Sequence, residues 1–265
     1  MNKLHSGMGR GLGGLICLGW LAAAIMGTGF AQAAGLNDTG ITDCSNDTGV
    51  VSTGVEADTG SHPRQDCRYG RDPAAAAGMP KTGAGGKGFD FSKIANDGTL
   101  LDAAVALGTG ATDWACTRDN VTGLIWEVKT SSGLRNQSHT YTWFNSDTAS
   151  NGGSAGTASN GSCATVGRCD TEKFVADVNS AGLCGASTWR MPSVKELQSL
   201  ADLGRSNPAI DPTYFPNTPA SYFWSASANA YSSDGAWVVS FGGGHAYGYS
   251  KYSYPNQVRL VRAGQ

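Results

Sequence analysis

The stretch Trp189-Arg190-Met191-Pro192-Ser193-Val194-Lys195-Glu196-Leu197 marks the start of a helix in the C-terminal half of the chain. Ser193 and Glu196 have the spacing of a capping box, in which the hydroxyl and the carboxylate each accept a hydrogen bond from a backbone N–H of the first turn. Val194 and Leu197 follow at helical spacing, which predicts a helix that begins at Val194 and packs on a core. This capping role accounts for Glu196, so we do not assign it as a general acid.

A second helix is indicated farther upstream, after a long polar segment. Asp170 can cap its first turn, Phe174 and Val178 fall on one face, and Gly182 ends it. Before it, the apolar run 124–128 follows a Thr-Gly turn and predicts a strand. Both helices are interpreted as elements that pack against a core.

The last fifty residues alternate short apolar runs with turns rich in Gly, Ser and Asn. This pattern predicts an antiparallel sheet. Together with the two preceding helices, it indicates an α+β fold. The predicted strands are Tyr222–Ser225, Ala236–Phe241, His245–Ser250 and Gln257–Arg262.

Four motifs occur in a fixed order along the C-terminal half. They are Thr117 to Glu127 (TRDNVTGLIWE), Trp189 to Pro192 followed by Lys195-Glu196-Leu197, Phe223 to Ser227 (FWSAS), and Val258 to Arg262 (VRLVR). In these motifs the segment resembles the Lcl C-terminal family, a bacterial domain of unknown function. The resemblance implies a domain at 113–265 with a C-type-lectin-like fold of two helices and a twisted antiparallel sheet, and functions near this family are mostly adhesion and binding.

The motif order is also similar to the sulfatase-modifying, formylglycine-generating group. The cofactor-dependent enzymes of that group use a cysteine pair late in the domain, whereas no cysteine follows Cys184 here. Calcium-dependent lectins carry Glu-Pro-Asn or Gln-Pro-Asp to supply oxygen ligands, whereas this chain has Tyr254-Pro255-Asn256, which lacks the carboxylate. We therefore predict no cofactor and no lectin-type calcium site, and a structural ion held by loop Asp residues stays open.

The N-terminus has the features of a secretory signal peptide. Lys3 and Arg10 precede an apolar run from Leu12 to Phe30, which is followed by Ala31-Gln32-Ala33, the A-x-A form that a signal peptidase cleaves. The run is interrupted by glycines, and its fully apolar stretches are shorter than the ~20 residues that span a bilayer. Cleavage at the end of residues 1–33 predicts a protein of the periplasm, medium or cell surface without a transmembrane span.

The charge of the chain excludes one class of partner. The sequence has 19 Lys and Arg against 21 Asp and Glu, a net charge of −2, and loss of Lys3 and Arg10 with the signal peptide makes it −4. No stretch is basic enough to follow a phosphate backbone, so nucleic acid is not expected as a partner. Charged residues make up only 15% of the chain, which predicts a largely neutral surface.

Residues 34–112 hold few large apolar side chains and repeat the triplet Asp-Thr-Gly at Asp38, Asp47 and Asp58. The triplets are too close together to be the two catalytic loops of an aspartic protease, so we interpret them as polar turns. The segment is predicted to be irregular and rich in Gly, without a core of its own.

Six cysteines remain after the predicted cleavage, which indicates three disulfides in an oxidising compartment. No C-x-x-C pair supports a zinc site. Fifteen pairings are possible for six cysteines. We expect Cys44 to pair with Cys67, and of the remaining four we favour Cys169 with Cys184, across the predicted helix. The six are Cys44, Cys67, Cys116, Cys163, Cys169 and Cys184.

Seven of the nine tyrosines lie after Thr213, among Gly, Ser and Asn. This composition is typical of binding loops, where the ring gives a large contact area at low entropic cost. An ordinary antiparallel strand with cross-strand aromatic pairs is the structural alternative. The predicted ligand-binding residues are Asn229, Tyr231, Asp234, His245, Tyr247, Tyr249, Lys251, Tyr252, Tyr254 and Asn256.

These observations favour an adhesion or binding module that recognises an extracellular glycan or protein. No catalytic residue is predicted, because the chain lacks the G-x-S-x-G, H-E-x-x-H and phosphate-loop motifs. The mature chain has three histidines, His62, His139 and His245. The alternatives are a structural surface protein, or a hydrolase or oxidase built on the same fold.

Overall fold

A computed structural model describes residues 37–46, 49–51 and 65–264. The predicted signal peptide, Asp47 and Thr48 of the second triplet, the whole triplet at Asp58, and His62 lie outside the described residues. The strands are β1 (Cys44–Asn46), β2 (Gly49–Val51), β3 (Phe91–Ala95), β4 (Leu100–Leu101), β5 (Trp114–Asp119), β6 (Leu124–Glu127), β7 (Tyr222–Ala228), β8 (Gly235–Ser240), β9 (Ala246–Ser250) and β10 (Val261–Ala263). The helices are α1 (Asp66–Tyr69), α2 (Arg71–Ala76), α3 (Thr171–Ser180) and α4 (Val194–Gln198).

The larger sheet has five antiparallel strands in the order β10-β6-β5-β3-β4. A tight turn joins β5 to β6. In it the Asp119 carboxylate accepts hydrogen bonds from the Val121 N–H at 2.9 Å and the Thr122 hydroxyl at 2.7 Å. Gly123 has a φ of +74°, which favours glycine. The turn therefore returns the chain alongside β5 and fixes this hairpin.

Two strands of this sheet, β3 and β4, come from the segment predicted to be irregular. Phe89 and Phe91 beside them are each 1% exposed and belong to the core. A lysine in the middle of β3 hides the strand pattern in the sequence: Lys93 is 7% exposed and its ammonium lies 4.2 Å from the centre of the Trp114 ring. Residues 91–101 of the segment 34–112 are thus an integral part of the main sheet.

Both predicted helices of the C-terminal half are confirmed. The Asp170 carboxylate accepts a hydrogen bond from the Lys173 N–H at 2.8 Å and so caps α3. The capping box of α4 is complete: the Glu196 N–H donates to the Ser193 hydroxyl at 3.2 Å, and the Ser193 N–H donates to the Glu196 carboxylate at 2.8 Å. A cap of this kind stabilises a helix by ~1 kcal/mol.

The last fifty residues divide between two sheets. β7, β8 and β9 form an antiparallel sheet in that order, as expected from the alternation. The final strand leaves them, because β10 pairs with β6 in the five-stranded sheet. The predicted α+β class is confirmed, with two main sheets where one was expected, and the C-type-lectin-like topology stays a prediction.

Three disulfides connect the described cysteines. The expected bond between Cys44 and Cys67 is present. The favoured bond between Cys169 and Cys184 is wrong, since the structure joins Cys116 to Cys184 and Cys163 to Cys169. The reason is geometric: the ten residues of α3 hold their ends about 15 Å apart, whereas a disulfide needs Cα atoms within ~7 Å.

Disulfides of this number are characteristic of oxidising compartments, which fits an extracellular or periplasmic protein. Among the described helices, none has the length and apolar character needed to cross a membrane.

Candidate functional site

The exposed aromatic surface of the protein is built on the three-stranded sheet. β9 is its outer strand, and its register with β8 sets Tyr247 opposite Val238 and Tyr249 opposite Ala236. Because side chains alternate along a strand, Tyr247 and Tyr249 lie on the same face. Trp224 of β7 also pairs with Val238 and belongs to that face.

Three rings on this face form a group that we call the tyrosine ladder: Tyr222, Tyr247 and Tyr249. The Tyr222 ring is stacked on Tyr249 at 5.6 Å and meets Tyr247 edge to face at 6.0 Å. The His245 ring continues the row at 6.4 Å from Tyr247. Tyr222 was not among the predicted ligand-binding residues, although its alternation with Trp224 in the sequence was a usable signal.

One ring of the ladder packs on the core, and the other two are exposed to solvent. Trp224, 1% exposed, packs under Tyr249 at 6.0 Å and donates its indole N–H to the Tyr141 carbonyl at 2.9 Å. Tyr249 is half-buried, whereas Tyr222 and Tyr247 are 38% and 45% exposed. Two exposed rings are therefore held in place by aromatic neighbours before any ligand arrives.

The other predicted tyrosines lie at the opposite end of the sheet. His245 precedes one end of β9, while Tyr252 and Tyr254 follow its other end, where Ser250 pairs with Gly235. We call Tyr231, Tyr252 and Tyr254 the turn tyrosines; they are 96%, 56% and 80% exposed. Tyr249 of the ladder is three residues before Tyr252, and the end of β9 at Ser250 lies between them.

The surroundings of the turn tyrosines differ from those of the ladder. The Tyr252 hydroxyl lies 2.6 Å from the Ser154 hydroxyl, and in the described part of the chain no ring contact involves any turn tyrosine. Asn229 and Asp234 belong to the same end, in the loop between β7 and β8. The turn tyrosines thus lack the ring contacts that join the members of the ladder.

Lys251, a predicted ligand-binding residue, is fully buried and the prediction is wrong for it. Its ammonium donates to the carbonyls of Asn151 at 2.7 Å, Ser154 at 3.0 Å and Ser233 at 2.6 Å. It also lies 4.4 Å from the centre of the Trp143 ring. This lysine joins the loop of Asn151 and Ser154 to the loop of Ser233, and its ammonium is not available to a ligand on the surface.

Asn256 is the second correction. Asn256 is 6% exposed. Its carbonyl accepts the Tyr141 N–H at 2.8 Å, and its N–H donates to the Tyr141 carbonyl at 3.0 Å. The residue is therefore part of the framework beneath the surface.

The family model of the Lcl C-terminal domain matches residues 115–262. The chain belongs to the Lcl C-terminal domain family. No curated protein and no solved structure matches it. The matched span contains the whole tyrosine ladder and the turn tyrosines, and it begins after β3 and β4 of the larger sheet.

A buried group of charges lies inside this Lcl C-terminal domain. The Lys129 ammonium is 2.9 Å from a Glu127 carboxylate oxygen, and the other oxygen accepts the Leu260 N–H at 3.0 Å. Arg259 donates to the Thr218 hydroxyl at 2.6 Å, and burial lowers the pKa of Arg259 to about 10. Glu127, Lys129 and Arg259 are at most 1% exposed, so they hold elements together and do not meet a ligand.

Two clefts of the described chain have the volume of a small-molecule site. One, of about 340 Å³, has Arg135 as the charged residue of its lining. The other, of about 400 Å³, is lined by Asp38 and Lys195. No histidine lines either cleft, so neither offers a hydroxyl nucleophile beside a histidine base. The ladder is the stronger functional candidate.

Proposed function

We propose that this Lcl C-terminal domain protein is a secreted binding module that recognises a neutral carbohydrate with its tyrosine ladder. The observation that carries the proposal is the pair of exposed rings, Tyr222 and Tyr247, each held by ring contacts to its neighbours. Rings that are ordered before binding lose little side-chain entropy on binding. A sugar ring offers C–H groups on its faces and hydroxyls at its edge, which suits tyrosine, an apolar ring with a polar tip.

The distribution of cations supports a neutral ligand. After Thr213 the sequence contains three basic residues, Lys251, Arg259 and Arg262. All three are at most 6% exposed, so none can pair with sulfate or carboxylate groups of an anionic polymer at this surface. The ladder itself carries phenol groups and no formal charge.

Secretion is supported by two features. The three disulfides form in oxidising compartments. The sequence before Ala34 has the basic start, apolar run and A-x-A end of a signal peptide. Sequencing the N-terminus of the exported protein tests this part, and we expect it to begin at Ala34.

An array of neutral and anionic glycans, probed with residues 34–265, tests the ligand class. We expect binding to neutral glycans that changes little between low and high salt, because no exposed cation is involved. Tyr247→Ala should weaken that binding at least ~10-fold, the effect of losing ~1.4 kcal/mol. Its melting temperature should match that of the unchanged protein.

Tyr254→Ala is the matched control, since Tyr254 is 80% exposed and lies outside the ladder. It should bind as the unchanged protein does. If Tyr254→Ala abolished binding and Tyr247→Ala did not, the binding surface would be at the turn tyrosines. Binding confined to anionic glycans, or to a protein ligand, would contradict the proposed ligand.

A further inference from the structure

Three carboxylates converge in the N-terminal part of the described chain, among residues that are not part of the ladder. Each of Asp38, Asp66 and Asp72 has a carboxylate oxygen within 4.8 Å of an oxygen of the other two. Asp38 and Asp72 are 5% and 6% exposed, and Asp66 is half-buried. Carboxylates are among the residues least often buried without a partner.

Two oxygens in this group are buried without any hydrogen-bond partner. The Gly88 N–H donates to Asp38 Oδ2 at 3.0 Å and to Asp72 Oδ1 at 2.9 Å. This leaves Asp38 Oδ1 and Asp72 Oδ2 unpartnered. Such atoms cost free energy unless a hydrogen bond or an ion compensates them.

Nearby basic side chains are directed elsewhere. Arg71 donates to the Gly88 carbonyl at 2.9 Å, and Lys81 donates to the carbonyls of Gly85, at 2.9 Å, and Lys87. Lys87 pairs with the Asp202 carboxylate at 3.1 Å. The negative charge of the three carboxylates therefore has no ion-pair partner among the described residues.

We propose that Asp38, Asp66 and Asp72 bind one calcium ion. Ca²⁺ takes oxygen ligands at 2.3–2.6 Å, so two of its ligands can stand about 5 Å apart, which covers the 4.8 Å limit within which the three carboxylates lie. Mg²⁺ usually keeps several waters and is bound by one or two carboxylates, so a site of three carboxylates suits Ca²⁺ better. Extracellular calcium modules commonly have dissociation constants of about 10⁻⁴–10⁻³ M.

The ion would join the chain before β1 to the two short helices. Asp38 lies in the segment whose Asn37 amide donates to the Asp119 carboxylate at 2.8 Å, and the Thr39 carbonyl accepts the Leu203 N–H at 2.8 Å. Asp66 and Asp72 lie in α1 and α2. Calcium is therefore expected to stabilise the attachment of the N-terminal segment to the domain.

The test uses residues 34–265 freed of metal with EGTA. Isothermal titration with CaCl2 should show one site with a dissociation constant on the order of 10⁻⁴–10⁻³ M. The melting temperature should rise in 10 mM CaCl2 because the ion binds the folded state. Asp72→Asn should weaken calcium binding at least ~10-fold, while Asp102→Asn, an exposed aspartate in a loop, should leave it unchanged.

The assignment has clear contrary outcomes. A folded, unchanged protein whose melting temperature does not respond to calcium would overturn it, and the carboxylates would then share a proton. An equal response to MgCl2 would overturn the choice of calcium. Should Asp72→Asn fail to fold, Asp66→Asn, at a half-buried position, takes its place, and an undiminished calcium response in it would likewise count against the site.

Discussion

The two main sheets differ in which residues they bury: the larger sheet encloses charged residues, and the smaller sheet exposes aromatic ones. The five-stranded sheet buries Lys93, Glu127 and Arg262, at 7%, 0% and 6% exposure. The three-stranded sheet leaves Tyr222 and Tyr247 substantially exposed. Side-chain partners account for the difference: Lys93 and Arg262 lie over tryptophan rings, whereas the two tyrosines contact aromatic rings that leave part of each phenol open to solvent.

Under the proposed function, this contrast separates stability from recognition in the molecule. The charged residues of the larger sheet are buried. Removing the partner of one of them leaves a buried charge or hydrogen-bonding group without compensation. The smaller sheet carries apolar area outside, where its removal affects contact with another molecule more than folding. Variants in the two sheets should therefore differ in kind as well as in size.

Deletion of residues 34–112 should have the largest effect. It removes β3 with Phe89 and Phe91, and truncating one such buried ring costs ~3–5 kcal/mol against a total stability of ~5–15 kcal/mol. We expect the chain 113–265 to show no cooperative urea unfolding. A chain that begins at residue 82 keeps β3 and should unfold cooperatively, and cooperative unfolding of both chains would show that β3 is dispensable.

Glu127→Gln should destabilise the protein by ~3–5 kcal/mol, because it leaves Lys129 and Arg259 buried without a counter-charge. The free energy of unfolding in urea at neutral pH measures this. Asp234→Asn, at an exposed position in the loop between β7 and β8, should change it by no more than ~0.5 kcal/mol. Similar decreases in the free energy of unfolding for the two variants would show that the buried charges of the larger sheet matter no more for stability than an exposed charge beside the smaller sheet.

Removing Cys116 and Cys184 together should cost ~4 kcal/mol, since their bond closes a chain separation of 68 residues. Removing Cys163 and Cys169, separated by 6 residues, should cost ~2 kcal/mol. Both pairs are replaced by alanine and compared by urea unfolding without reductant. A larger loss for the short loop would contradict the loop-closure explanation.

Within the tyrosine ladder, Tyr249→Ala should lower stability by ~1–2 kcal/mol, about half the value of a fully buried side chain. Tyr247→Ala should stay within ~0.5 kcal/mol. Thermal unfolding of both variants checks this order. If Tyr247→Ala were the more damaging to stability, the ladder would be part of the core and its role in binding would lose its basis.

Local features of the fold could be predicted from the sequence. The caps at Asp170 and at Ser193 with Glu196 depend on residues within three positions of each other, so the sequence contains all the information they need. Lys251 was misplaced because its acceptors at Asn151 and Ser154 are about a hundred residues away. The predicted residues include the two ladder rings on β9, Tyr247 and Tyr249, but not Tyr222 on β7, because the sequence does not show that β7 lies close enough to β9 for its ring to reach them.

The buried cations also affect how the native protein meets proteases. From Thr213 to Gly264 the bonds that trypsin-like enzymes recognise follow Lys251, Arg259 and Arg262, and all three side chains are enclosed. The folded C-terminal region, including the whole ladder, therefore presents no accessible basic residue for cleavage. For the secreted protein proposed above, the ladder should stay intact in a medium that contains such enzymes for as long as the domain is folded.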